Sequence, residues 1–174
     1  MNTLYDGLEK VWPQSQDWLK ACNVRKTEYH GGSFEGNDSR ALLKKVNRLE
    51  ELYPANNLKA QKYSVAFNAL NEVVGACYGF DLHPDFEGKI KKFTEAYLEL
   101  KISVTPKIHA VMHHVSEFCR LTGRGLGPWS EQTGEAIHHD FKQRWKRFTI
   151  KDTQCENYGK HILQAVSTYN SQHL

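Results

Sequence analysis

Proline spacing and apolar periodicity together constrain this chain most. Pro13, Pro54, Pro84, Pro106 and Pro128 each fall at the edge of a segment whose apolar residues recur every three or four positions. Few stretches alternate apolar with polar residues as a half-buried strand requires. The chain is therefore expected to be all-α, a single helical domain of about six to eight helices over residues 1–174. No repeat, low-complexity tract or linker interrupts it.

The segments read as follows. A short helix covers Thr3 to Val11 and a second runs from Pro13 to Cys22. Tyr29 to Asn37 is loop, because Gly31, Gly32 and Gly36 oppose regular structure. Asn37 or Asp38 caps a helix through Leu52, with Leu42, Val46, Leu49 and Leu52 as its inner stripe. A long helix spans Asn56 to Val74 and ends in Gly75 to Asp81, and Pro84 opens the next, to about Leu100. Thr105-Pro106 is a helix start, a hydroxyl cap followed by proline at the first position. Ile108, Val111, Met112, Val115, Phe118 and Cys119 then form one stripe. Gly123, Gly125 and Gly127 break the chain before Ser130 caps a helix to about Phe148. A last helix covers Asp152 to Tyr169.

Composition narrows the class. No run approaches the roughly 18 apolar residues of a membrane helix, so a membrane-spanning protein is excluded. The first residues lack the basic-then-apolar pattern of a signal peptide, which leaves a secretory route unsupported. Cys22, Cys77, Cys119 and Cys155 contain no CxxC pair, and read as reduced thiols of an intracellular protein. A net charge of +3 does not define a partner by itself. Local charge has to carry that argument.

The segment from Trp129 to Phe148 carries the most chemistry. Ile137, Phe141, Trp145 and Phe148 build a buried stripe, and Glu135 lies about 200° from Ile137, on the opposite face. His138, His139, Lys142 and Lys146 fall within about 60° of Glu135. Two readings are open: a solvated face with ordinary i,i+4 pairs, or a metal-binding carboxylate bordered by phosphate-neutralising residues. Glu131 is a rival, although its place beside the Ser130 cap suits a dipole-stabilising role. Glu135 with His138 also makes Glu-x-x-His, without the second copy that a di-iron bundle needs.

Two further clusters stand out. His109 and His113 share a helix face, whereas His114 projects to the other flank of the apolar stripe; surface histidines and a zinc-ligating pair are both compatible with that spacing. Arg40, Lys44, Lys45 and Arg48 form one basic group, and Lys142, Arg144, Lys146, Arg147 and Lys151 another. Such residues either solvate a face or contact DNA phosphates, with Arg40, Lys44, Lys142 and Lys146 the candidate DNA-binding set. The glycine loop does not match GxxxxGK[ST].

The order Lys107-Ile108-His109, then His114-Val115, a glycine-bearing turn, Gly127-Pro128-Trp129-Ser130-Glu131, Glu135 and Phe141 resembles the C-terminal catalytic region of Transib-type DDE transposases. That group includes the catalytic subunit of the V(D)J recombinase. Gly36-Asn37, Arg40 and Leu42-Leu43 are similar to a Gly-Asn-x-x-Arg-x-Leu segment of the same family. The resemblance implies that this chain is the helical insertion and last catalytic helix of a ribonuclease-H-like enzyme. Glu135 becomes the third acidic residue of the DDE triad, holding magnesium or manganese. His109 and His114 become ligands of a structural zinc, and Arg40 a DNA contact.

The implied reaction is two-metal phosphoryl transfer on DNA. The implied partners are DNA and either the remaining transposase core or a homodimer partner, in the nucleus. Asp81, Asp85 and Asp140 match no catalytic motif, so the chain is a polynucleotidyl transferase only when two missing aspartates complete it. The interval from His114 to Glu135 is one residue longer than the family's, which keeps Glu131 open. The alternative is a non-catalytic helical DNA- or protein-binding domain, domesticated from a transposon.

Overall fold

A computed structural model describes residues 1–27, 32–130, 142, 143, 146 and 157–171. Among the described residues there are nine α-helices and no strand. They are α1 (Asn2–Val11), α2 (Gln16–Cys22), α3 (Gly36–Lys44), α4 (Val46–Leu52), α5 (Leu58–Cys77), α6 (Phe86–Leu98), α7 (Pro106–His113), α8 (Val115–Thr122) and α9 (Tyr158–Asn170). Single 3-10 turns occupy Pro13–Ser15 and Gly127–Trp129. The chain divides into two compact units, Met1–Gly127 and Pro128–Leu174. No helix among the described residues is long and apolar enough to cross a membrane.

In the first unit α5 is the axis. Its buried residues include Tyr63, Ala66, Phe67, Ala69, Leu70, Val73 and Cys77. These cover well over half its circumference, so it must be packed on several sides. α1, α3, α4 and α6 all lie against it. Asn57 starts it by accepting from the Ala60 amide at 3.0 Å, while its Nδ2 donates to the Val11 carbonyl at 3.3 Å. One side chain thus caps α5 and ties it to the end of α1. Tyr5 of α1, Trp18 of α2, Phe34 and Phe67 of α5 form a chain of ring contacts with centroids 5.1 to 6.4 Å apart.

The helix expected from Pro13 begins at Gln16 after a 3-10 turn, the one expected from Pro84 begins at Phe86, and three further boundaries differ for identifiable reasons. The helix foreseen from Asn37 or Asp38 to Leu52 is two helices, broken at Lys45. There the Lys45 carbonyl accepts from the Trp18 indole at 3.2 Å, and its ammonium donates to the Cys22 carbonyl at 3.2 Å. Tertiary hydrogen bonds, not a local breaker, hold that break. Leu52 is correspondingly exposed rather than part of the inner stripe. The helix foreseen to stop at Gly75 runs through it to Cys77, because burial of Val73, Ala76 and Cys77 outweighs the roughly 1 kcal/mol propensity cost of glycine. The stripe from Ile108 to Cys119 is split at His114, where φ is −107° and ψ −30°. Phe118 lies on its exposed side.

The glycine-rich break is pinned rather than loose. Leu126 donates to the Cys77 carbonyl at 2.6 Å, Gly127 to Gly79 at 2.9 Å and Gly125 to Phe80 at 3.1 Å. A Cβ at Gly125 would strike the Gly79 carbonyl oxygen and stand 3.0 Å from that of Cys77, both backbone atoms that cannot swing away. Gly123 differs: its φ of 64° ends α8 in a left-handed cap with open space around it.

In the second unit, the described part of α9 buries Ala165 and exposes Leu163. The helix expected from Ser130 to about Phe148, and Cys155, lie almost wholly outside the described residues. Of that stretch Ser130, Lys142, Gln143 and Lys146 are described.

Gly125→Ala is expected to cost about 2 kcal/mol, and Gly123→Ala about 1 kcal/mol, in urea unfolding. A second outcome follows from Cys77. Burial, assisted by the adjacent Cys119 thiol, pushes Cys77 up to about 12 from its ordinary 9.0. The fold favours the neutral thiol, so its contribution is whole below pH 9 and is lost as pH rises from there toward 12. Cys77→Ala should flatten this alkaline loss when urea midpoints are compared at about pH 8 and about pH 10.

Candidate functional site

The site begins with a helix start. Thr105 Oγ1 accepts from the Ile108 amide at 3.4 Å and Pro106 fills the first helical position. Both features fix the phase of α7, which turns Ile108, Val111 and Met112 inward and leaves His109 and His113 exposed. Their rings lie 4.7 Å apart between centroids, as i,i+4 spacing implies.

His114 does not take the flank expected for it. In an unbroken helix residues five apart are about 140° apart around the axis. The break at His114 undoes that divergence and brings its ring to 5.1 Å from that of His109, edge-on at 70°. Two imidazoles sharing one tetrahedral ion, with nitrogens about 2 Å from it, carry ring centres about 5 Å apart. Both His109 pairs approximate that separation. All three histidines are exposed, so ring rotation toward an ion meets little resistance.

The set is nonetheless incomplete. Among the described residues no group of three or more His, Cys, Asp or Glu side chains is arranged to hold a metal ion. Two imidazoles would supply half of a zinc's usual four ligands. Cys22, Cys77 and Cys119 cannot supplement them as they stand, because all three are free, buried thiols whose ionisation burial opposes.

The basic candidates fall into two pairs. Arg40 and Lys44 are exposed one turn apart on α3, and so share a face. Lys142 and Lys146 are exposed, and the Lys146 amide donates to the Lys142 carbonyl at 3.3 Å, which places them one helical turn apart. Lys146 Nζ also donates to Gln143 Oε1 at 2.9 Å. Glu135, Glu131, His138 and His139 lie outside the described residues.

A groove of about 420 Å³ between α5 and α6 is a weaker candidate. Leu58, Val65 and Ala96 line it, and both of its lysines are paired, Lys62 with Glu99 at 3.6 Å and Lys92 with Glu72 at 2.7 Å. It lacks the convergent polar groups that orient a small molecule.

Compared with protein-family models, curated proteins and solved structures, the chain matches none.

His109 belongs to both imidazole pairs, which separates them experimentally. In calorimetric titration with zinc, His109→Ala should weaken binding roughly tenfold or more. If His114 is the second ligand, His114→Ala should reproduce that loss and His113→Ala should not. The reverse result would assign the ordinary i,i+4 pair.

Proposed function

We propose that this chain is the DNA-binding C-terminal region of a DDE transposase or recombinase, as a fragment or a remnant, and that it contributes the third metal-binding acidic residue, Glu135. The observation that carries this reading is the approach of His109 to His114 across the break between α7 and α8. The family resemblance names those two residues as co-ligands, and helical spacing alone would keep them apart. Exposure of Arg40, Lys44, Lys142 and Lys146 supports a phosphate-contacting role for each.

In this reading His109 and His114 donate two of the ligands of a structural zinc, and the rest come from outside the described residues. Glu135 holds one of two magnesium or manganese ions, which when bound activate the attacking oxygen and stabilise the leaving oxygen of a DNA phosphodiester. One carboxylate cannot organise two divalent ions. Catalysis therefore requires aspartates from the rest of a transposase core or from a homodimer partner, and the setting is the nucleus. A second reading, a non-catalytic DNA- or protein-binding domain, is favoured by the packing of Met1–Gly127 into a core of its own.

Affinity for duplex DNA should fall as salt rises, and Lys44→Ala or Lys142→Ala should each reduce the salt slope by about 1. A slope near zero, read by fluorescence anisotropy, removes the DNA reading. With magnesium or manganese the chain alone should leave DNA intact. Cleavage that disappears in Glu135→Gln would instead make it a self-sufficient nuclease.

A further inference from the structure

Lys45 marks a meeting of three helices. At the break between α3 and α4, its ammonium donates to the carbonyl of Cys22, the last residue of α2, at 3.2 Å. α2 lies against both α3 and α4, so its C-terminal end abuts that break. Arg25 follows three residues after Cys22. Lys44 immediately precedes Lys45, and Arg48 lies one turn beyond it, the Arg48 amide donating to the Lys45 carbonyl at 3.0 Å. Arg25, Lys44, Lys45 and Arg48 are all exposed, so packing brings four cations to one corner of the first unit.

These charges are held differently from those on neighbouring faces. Lys26 meets Asp6 at 2.8 Å, Lys92 meets Glu72 at 2.7 Å and Arg120 meets Glu87 at 2.6 Å, so each is compensated by a carboxylate. Lys45 instead meets a helix-end carbonyl, which fixes the ammonium, keeps its positive charge and leaves two further N–H donors for other acceptors. Arg48 reaches Glu51 only at 3.5 Å, with both side chains 60% exposed. An exposed pair of that kind contributes little and is screened by salt, so a phosphate can displace the carboxylate.

Resting on the DNA-binding reading above, we infer that Arg25, Lys45 and Arg48 join Lys44 in a single phosphate-contacting track for duplex DNA, laid across the meeting ends of α2, α3 and α4. A duplex is the occupant that such a corner suits. Its phosphates form a stiff, regularly spaced array of negative charge, and cations already positioned by packed helices meet it without first being ordered. Each phosphate neutralised releases about one counterion, so every member of the track adds to the salt dependence. Glu51 works against the track, because it competes with phosphate for Arg48.

The test is fluorescence anisotropy of a labelled duplex titrated with the full chain over a range of salt. Arg25→Ala, Lys45→Ala and Arg48→Ala should each lower the salt slope by about 1 and weaken binding roughly three- to ten-fold at low salt. Lys91→Ala, at an exposed site on α6, should change neither. Glu51→Gln should tighten binding about two-fold. Lys45→Ala also removes the bond to Cys22, so circular dichroism checks its fold, and Arg25→Ala with Arg48→Ala decide the matter where it unfolds. Unchanged slopes in those two variants, while Lys44→Ala loses slope, would overturn the track and leave the DNA reading standing. A wild-type slope near zero would overturn both. An equal loss in Lys91→Ala would show attraction spread over the surface, and unchanged or weaker binding in Glu51→Gln would remove Arg48; either result overturns the single track.

Discussion

The first unit depends on burying α5. A helix with apolar residues over so much of its surface cannot rest on one neighbour, and alanines at 60, 66, 69 and 76 let several helices approach it closely. Gly7 of α1 shows how tight that approach is, since a Cβ there would collide with the Tyr63 ring of α5. Polar groups follow from the same constraint. Ser15 is buried and donates to the Tyr5 hydroxyl at 3.2 Å, and Ser64 is buried and donates to Glu50 at 3.0 Å. Each would cost about 1–3 kcal/mol if left unpaired. The hydrogen-bonding pattern around α5 is thus a consequence of its apolar burial.

Much of this was legible where local chemistry decides. The Thr105-Pro106 start, the separation of α1 from the turn at Pro13, and the inward set Leu42, Val46 and Leu49 can be read from hydroxyl caps, proline and spacing alone. The breaks at Lys45 and His114 could not be read. Neither carries glycine or proline, and at Lys45 the deciding partner, Trp18, is 27 residues away. The converse error at Gly75 has the same root: a local helix-breaking tendency is small beside the burial of neighbouring side chains.

The candidate site was legible to the same uneven degree. His109 and His113 follow from periodicity, and the exposure of Arg40 and Lys44 follows from the apolar stripe of α3. The approach of His114 depends on a backbone turn that no residue type announces. What sequence can supply is the residue type; the approach of His114 to His109 is made by the break between α7 and α8.

Packing is graded across these elements, and the grading bears on function. α5 contributes ten buried residues to the core, whereas α8 contributes two. Backbone hydrogen bonds from Gly125, Leu126 and Gly127 to residues 77–80, with Leu126 packed against the core, hold the segment after α8, and Gly123 ends that helix with a φ of 64°. A helix held at one end by a bend and at the other by a short loop can be displaced without dissolving the core beneath it. His114, which caps the start of α8, therefore sits on a part of the unit that has few buried contacts. Any group that bridges His109 to His114 thus constrains the orientation of α8 relative to α7.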